Sequence, residues 1–169
     1  MAVQIRGGNA INYRGDFLLL FHASDVKPLT GTLALLDWRC NSSISALWKR
    51  KPDLFKFGQL TVLAPQGKVP TRTVILTGLG SGKELDGGLR KEAYRLALDA
   101  AVKLGGGKIA VEGIPVSGVH DRSILDDLVT ASGPYDKNGQ LTLSLFSTDK
   151  DLILSMRNDM TGLDHRVKQ

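Results

Sequence analysis

Thr73-Val74-Ile75-Leu76-Thr77-Gly78-Leu79-Gly80-Ser81-Gly82-Lys83, with the run from Asp86 to Leu104 behind it, decides the fold. Its first five residues are β-branched or aliphatic and have the length of a strand. Three spaced glycines follow. Then Leu89, Ala93, Leu96, Ala97, Ala100, Ala101 and Leu104 recur on one helical face, with Asp86 placed to cap the helix and Gly105-Gly106-Gly107 placed to stop it. Strand, glycine loop and helix in that order are the start of a β-α-β unit, so the chain reads as α/β with a mostly parallel sheet.

Outward from this unit the pattern holds. Leu60-Thr61-Val62-Leu63-Ala64 adjoins the 73–77 strand through the Pro65-Gln66-Gly67 turn and is expected to pair with it antiparallel. Phe17-Leu18-Leu19-Leu20-Phe21 is a continuous apolar run, which suits a strand covered on both faces. Leu33, Leu36, Cys40, Ile44, Leu47 and Trp48 have the spacing of one helix ending near Arg50-Lys51, before Pro52. Beyond the glycines, Ile109-Ala110-Val111 reads as a buried strand. Asp121 is expected to cap a helix through Ile124, Leu125, Leu128 and Val129 that Gly133-Pro134 ends. Leu141-Thr142-Leu143-Ser144-Leu145 alternates as a strand with one wet face would. Asp149 opens a last helix using Leu152, Ile153 and Met156, and 161–169 reads as a frayed tail. Residues 1–160 are therefore expected to form one domain.

With 169 residues, 42% hydrophobic and 23% charged, the chain can bury a real core without disulfides or metal, and disorder is a poor reading. Cys40 is its one cysteine and falls on the apolar stripe, as a buried inert thiol. Met1 to Gly8 lacks the apolar core of a secretory signal and no run approaches membrane-spanning length, so a cytoplasmic protein with no membrane contact is expected. The net charge of +5 is uneven: residues 1–84 hold 11 Lys/Arg against 5 Asp/Glu, and residues 85–169 hold 11 against 12. The Lys49-Arg50-Lys51 cluster reads as a solvated helix end. No stacking aromatics or nucleic-acid motif accompany it, so nucleic acid is not expected as a partner.

The 78–83 loop is the best candidate site, because a loop joining a buried strand to a helix offers backbone N–H groups to a phosphate. It is not a P-loop, since three residues rather than four separate Gly78 from Gly82 and Glu84 follows Lys83; nor does it spell the dinucleotide fingerprint. A tight turn explains the same glycines equally well. No Gly-x-Ser-x-Gly elbow exists, Ser117 lacking the first glycine, and His22, His120 and His165 are scattered without metal-ligand spacing. Asp126-Asp127 beside Asp121 reads as a solvated helix face. These motifs assign no reaction and imply no cofactor.

The stretch Asp25-Val26-Lys27-Pro28-Leu29-Thr30-Gly31, then Leu35-Leu36-Asp37-Trp38-Arg39-Cys40-Asn41, Phe57-Gly58-Gln59-Leu60 and Thr73 to Gly80 resemble, in this order, the amino-terminal domain of leucyl aminopeptidases. In that family an aliphatic strand ends in Gly-Leu-Gly, followed by a basic and an acidic residue and a helix rich in alanine and leucine, as 76–104 read here. The resemblance spans about residues 16–113. It implies a macro-domain-like, three-layer α/β/α fold with a mixed sheet of about six strands, a domain that in whole enzymes packs beside the catalytic one and helps organise a hexamer. The family's Asn-Thr-Asp-Ala-Glu-Gly-Arg signature, with its further Asp and Lys ligands to two divalent metals, has no match in the 169 residues, so peptidase activity is not expected.

The expected function is thus a non-catalytic binding or interaction module, self-associating or pairing with a protein partner such as a separately encoded aminopeptidase. The alternative is a nucleotide or ADP-ribose pocket of the macro-domain kind. There Gly78, Gly80, Ser81, Gly82 and Lys83 would lie near a phosphate, and Asp25 near the other end of the ligand.

Overall fold

The computed structural model describes residues 1–114, 123–136 and 139–148, together with helical positions 150, 153, 154 and 157. Its strands are β1 (Ala2–Gly7), β2 (Phe17–His22), β3 (Leu60–Leu63), β4 (Thr73–Gly78), β5 (Lys108–Glu112) and β6 (Thr142–Ser147). They form one six-stranded sheet in the order β1-β6-β5-β2-β4-β3. Neighbours are parallel except β3, which runs antiparallel to β4 as the intervening turn predicts.

Helices α1 (Gly31–Arg39) and α2 (Ser43–Arg50) cover one face, and α3 (Gly87–Lys103) and α4 (Ser123–Ser132) the other. Alternation along β2 explains why its run had to be continuously apolar: Leu18 and Leu20 pack toward α1 and α2, while Phe17 and Leu19 pack toward α3 and α4. Leu18, Leu19 and Leu20 are at most 1% exposed, and burial of each stabilises the fold by roughly 1.5–3 kcal/mol. At the start of α3, Asp86 accepts from the Leu89 N–H at 2.8 Å, the cap expected there.

Several expectations are corrected. The single helix expected through Leu33 to Trp48 is two, broken where Asn41 and Ser42 adopt left-handed backbone with φ of 55° and 57°. Asp37 causes the break: its buried carboxylate accepts from the N–H groups of Ile44 and Ser45 at 2.8 and 3.0 Å and from the Ser45 hydroxyl at 2.6 Å, capping α2 from the last turn of α1. Cys40, in the turn between them, is half-buried; burial and the nearby Asp37 carboxylate push its thiol pKa up. The first residues form an unexpected strand, β1, whose alternating Val3 and Ile5 supply the signal. The face of β6 expected to be wet is largely covered, with Thr142 half-buried and facing a surface cleft. The strand lies between β1 and β5, and Ser144 is 1% exposed. Asp127 is not on a solvated face either. It pairs at 2.8 Å with the fully buried Arg90 of α3 and so ties α4 to the helix beneath it. The expected Asp121 cap, Asp149, Leu152, Met156, Ser117, His120, His165 and the 161–169 tail lie outside the described residues.

Candidate functional site

Beyond the carboxyl ends of β2, β4 and β5 lies a cleft of about 300 Å³. This end of a parallel sheet is where connecting loops part and ligands of open α/β folds gather. Phe21, Leu33, Leu79, Leu85 and Ile114 make it mostly apolar, and Thr30, Gly31 and Glu112 give it polar points.

One rim is the 78–83 loop, whose glycines have distinct reasons. A Cβ on Gly78 would stand 2.2 Å from the Lys56 carbonyl oxygen, so the strand's last residue cannot carry a side chain. Gly80 has φ of +66° and donates its N–H to the Phe55 carbonyl at 3.0 Å. The Leu79 N–H goes to the His22 carbonyl at 2.9 Å. Gly82 gives its N–H to Asp25 Oδ1 at 2.9 Å, and the Ser81 hydroxyl donates to Asp25 Oδ2 at 3.0 Å. Lys83 is exposed and forms no ion pair among the described residues.

The loop is therefore an anion cradle occupied by the chain's own carboxylate. Asp25 was expected at the far end of a ligand from the loop; the structure instead puts the two in direct contact. The Gly82 N–H and then the Ser81 hydroxyl hold the Asp25 carboxyl below the usual range, so it stays ionised at neutral pH.

The opposite rim is the amino terminus of α1, where Thr30 makes no side-chain cap. First-turn N–H groups without a cap favour a negative group. Behind the cleft wall the buried Thr32 donates its hydroxyl to the carboxyl of Glu112, which lines the cleft, and burial raises the Glu112 pKa. Beside it His22 is 5% exposed, with Nε2 2.9 Å from the Val26 carbonyl oxygen and its ring edge-on to Trp48 and Phe55. A carbonyl only accepts, so Nε2 carries the proton; burial lowers the ring's pKa, which makes it a neutral positioning group for the 23–26 turn. Arg90 acts behind the cleft wall, its guanidinium reaching the Ile114 carbonyl at 3.4 Å.

Of the residues expected to form a site, Asp25, Gly78, Gly80, Ser81, Gly82 and Lys83 all lie along this one rim, and Gly82 lines the cleft itself. Sequence reasoning missed Thr30, Thr32 and Glu112. The available signal was a charged residue closing the apolar Lys108-Ile109-Ala110-Val111-Glu112 strand at its carboxyl end.

No protein-family model and no curated protein matches the chain. Solved structures do. A mutant of the Oceanobacillus iheyensis macrodomain superposes with a TM-score of 0.73 at 12% identity, over 96% of this chain and 88% of that one. A Trypanosoma brucei macrodomain in complex with ADP-ribose gives 0.68 at 14%, over 94% of this chain and 68% of that one. A mutant of tomato leucine aminopeptidase gives 0.67 at 18%, over 93% of this chain but 35% of the enzyme, so the chain spans about a third of that protein. The fold is macrodomain-like, and the aminopeptidase shares it in part of its length.

Proposed function

We propose that the chain binds a nucleotide-like ligand of the ADP-ribose class in the cleft beyond β2, β4 and β5, without peptidase chemistry. The carrying observation is one cleft bordered by the uncapped α1 terminus and by the 78–83 loop that fixes the Asp25 carboxylate through Gly82. The α1 terminus takes the phosphate end, a role first expected of the 78–83 loop, whose amides are engaged. Asp25 accepts from a donor on the rest of the ligand. A volume of about 300 Å³ is at the small end for ligand pockets, so part of so large a ligand lies over the rim. Macrodomains of this fold solved with ADP and with ADP-ribose support the ligand class.

Calorimetry with ADP-ribose and ADP tests this. The wild type should bind ADP-ribose saturably. Val26→Trp, at an exposed position lining the cleft, should abolish binding while far-UV circular dichroism stays native, and Asp25→Ala should weaken it about tenfold. Absence of wild-type binding at millimolar ADP-ribose would sink the reading.

A second reading, a module docking another protein or copy of itself, rests on α1's outer face. There Leu35 and Trp38, three residues apart, are 41% and 77% exposed. Sedimentation velocity on wild type and Trp38→Ala tests it: a dimer lost in the variant supports it, and a wild-type monomer at all concentrations removes self-association.

A further inference from the structure

We infer a second ligand site, for a small sugar or polyol carrying two or more phosphates, in a cleft of about 540 Å³ on the sheet face over β1 and β6. It is separate from the cleft beyond the strand ends, and the two share no lining residue.

The sheet register builds its floor. Gln4 pairs with Ser144 and Arg6 with Phe146, all alternating away from Ile5, Leu143 and Leu145, which face the other core. The 3₁₀ turn Ala10–Asn12 and the segment after it form a wall that brings Asn9, Asn12 and Arg14 to the same cleft. Lys108 enters from the first residue of β5.

The cleft is made of donors. Arg6, Arg14 and Lys108 line it, no carboxylate does, and none of the three forms an ion pair among the described residues. Asp16, the acid next to Lys108 in the fold, is engaged by the Gly107 and Lys108 N–H groups at 3.0 and 2.8 Å. Each side-chain amide has its carbonyl oxygen occupied within the protein. Asn9 accepts from the Ile11 N–H at 3.3 Å, Asn12 from Arg39 at 3.2 Å and Gln4 from Arg6 at 2.7 Å. What these amides have left is NH₂. At the floor the hydroxyl of the buried Ser144 has no hydrogen-bond partner among the described residues, a polar group of the kind that calls for a ligand atom.

Three cations and three NH₂ groups in one pocket call for an occupant dense in acceptor oxygens. A phosphate offers three strong acceptors and close to two charges, which suits such a cluster better than a two-oxygen carboxylate. The pocket has the size of a small molecule rather than a polymer track. A base-stacking platform is missing: the Tyr13 ring is covered by the Arg6 guanidinium at 5.9 Å and by the edge of Phe146. Donors between the cations suit hydroxyls of a sugar or polyol.

The experiment is calorimetry of the 169-residue chain with fructose bisphosphate at physiological salt, with citrate and a single-stranded oligonucleotide as competing probes. Saturable binding is expected, weakened about tenfold by Arg6→Gln and by Arg14→Gln. Lys49→Gln combined with Arg50→Gln removes twice the charge of either variant elsewhere and should leave affinity unchanged. Ser144→Ala should reduce affinity several-fold without lowering the melting temperature, because the hydroxyl has no partner to lose among the described residues. No saturable binding, equal binding of citrate, preference for the oligonucleotide, or indifference to Arg6 and Arg14 would each overturn the inference.

Discussion

The two ends of β2 solve one problem in two ways. Before the strand, Asp16 accepts from the N–H groups of Gly107 and Lys108; after it, Asp25 accepts from Gly82 N–H and the Ser81 hydroxyl. At both ends a glycine-rich turn offers amides, and the chain supplies its own carboxylate. Yet the amino-end pair also meets Arg72, at 3.9 Å, and only closes a turn. The carboxyl-end pair stands exposed at the rim of a cleft that holds a second acid, Glu112. Glycine amides facing an anion do not by themselves mark a ligand site. What distinguishes the ends is the setting of the carboxylate: Asp16 meets Arg72, whereas Asp25 stands exposed with no ion pair among the described residues, beside a cleft that holds Glu112.

The largest effect should separate the glycines at these ends. Gly78→Ala drives a Cβ against backbone, with the Lys56 carbonyl oxygen at 2.2 Å, whereas Gly106→Ala meets the Phe17 ring at 2.6 Å and the Ala101 carbonyl oxygen at 3.0 Å. A ring can turn; the Lys56 carbonyl moves only if the backbone of its turn moves. Urea denaturation should show Gly78→Ala losing on the order of 3 kcal/mol or more and Gly106→Ala about 1–2 kcal/mol. Equal losses would mean that the two ends are equally compliant.

Next in size is Gly80→Val, which places a β-branched residue at φ +66° with its Cβ 3.2 Å from that of Phe57. A loss of about 1–3 kcal/mol is expected from backbone strain. A melting temperature equal to wild type would show that the rim adapts.

The carboxylates should differ less. Both Asp16 and Asp25 are held below their ordinary pKa, chiefly by backbone N–H groups, of Lys108 and of Gly82 respectively. A depressed folded pKa gives stability that is present above the unfolded value, about 3.8, and lost as pH falls through the folded one. Acid melting curves of Asp16→Asn and Asp25→Asn should therefore both be flatter than wild type below about pH 4. At neutral pH, Asp16→Asn should cost more, because Asp25 is solvent-exposed. The reverse order would make the rim, rather than the amino-end turn, the structural element.

What could be read in the sequence follows from how local its causes are. The 73–104 unit was legible because its strand, glycines, Asp86 cap and Gly105 to Gly107 stop are contiguous, and the antiparallel β3–β4 pair because one turn joins it. The break at Asn41-Ser42 was hidden because it depends on Asp37 reaching forward to Ile44 and Ser45, while the apolar spacing continues across it. β1 was missed because its signal is short, an alternation of Val3 and Ile5 alone, and its partner β6 lies at the other end of the chain. Asp25 and the loop were both singled out, but their contact joins residues 57 apart, and the contact between Thr32 and Glu112 joins residues 80 apart. No local pattern records such meetings. The fold was legible from periodicity, whereas the site is a product of topology.

Glu112 should show the smallest effect, and its sign tests whether the cleft differs in kind from the amino-end turn. Burial raises its pKa above the ordinary 4.5, and the Thr32 hydroxyl, donating to the charged form, only partly offsets this. The folded state therefore keeps the proton longer than the unfolded one. Stability is fully retained below the unfolded pKa and declines as pH rises from there through the folded value, opposite in sign to Asp16 and Asp25. Glu112→Gln keeps an acceptor for Thr32 and removes the buried charge, so it should raise stability at pH 7 by on the order of 1 kcal/mol, seen as about 2–4 °C in melting temperature. The gain should vanish near pH 4, where the native carboxyl is already neutral. A fall in melting temperature at pH 7 would show that the Glu112 charge is compensated within the cleft. The carboxyl end would then resemble the amino end, two acids each satisfied by the fold, and the cleft would have lost the property that sets it apart.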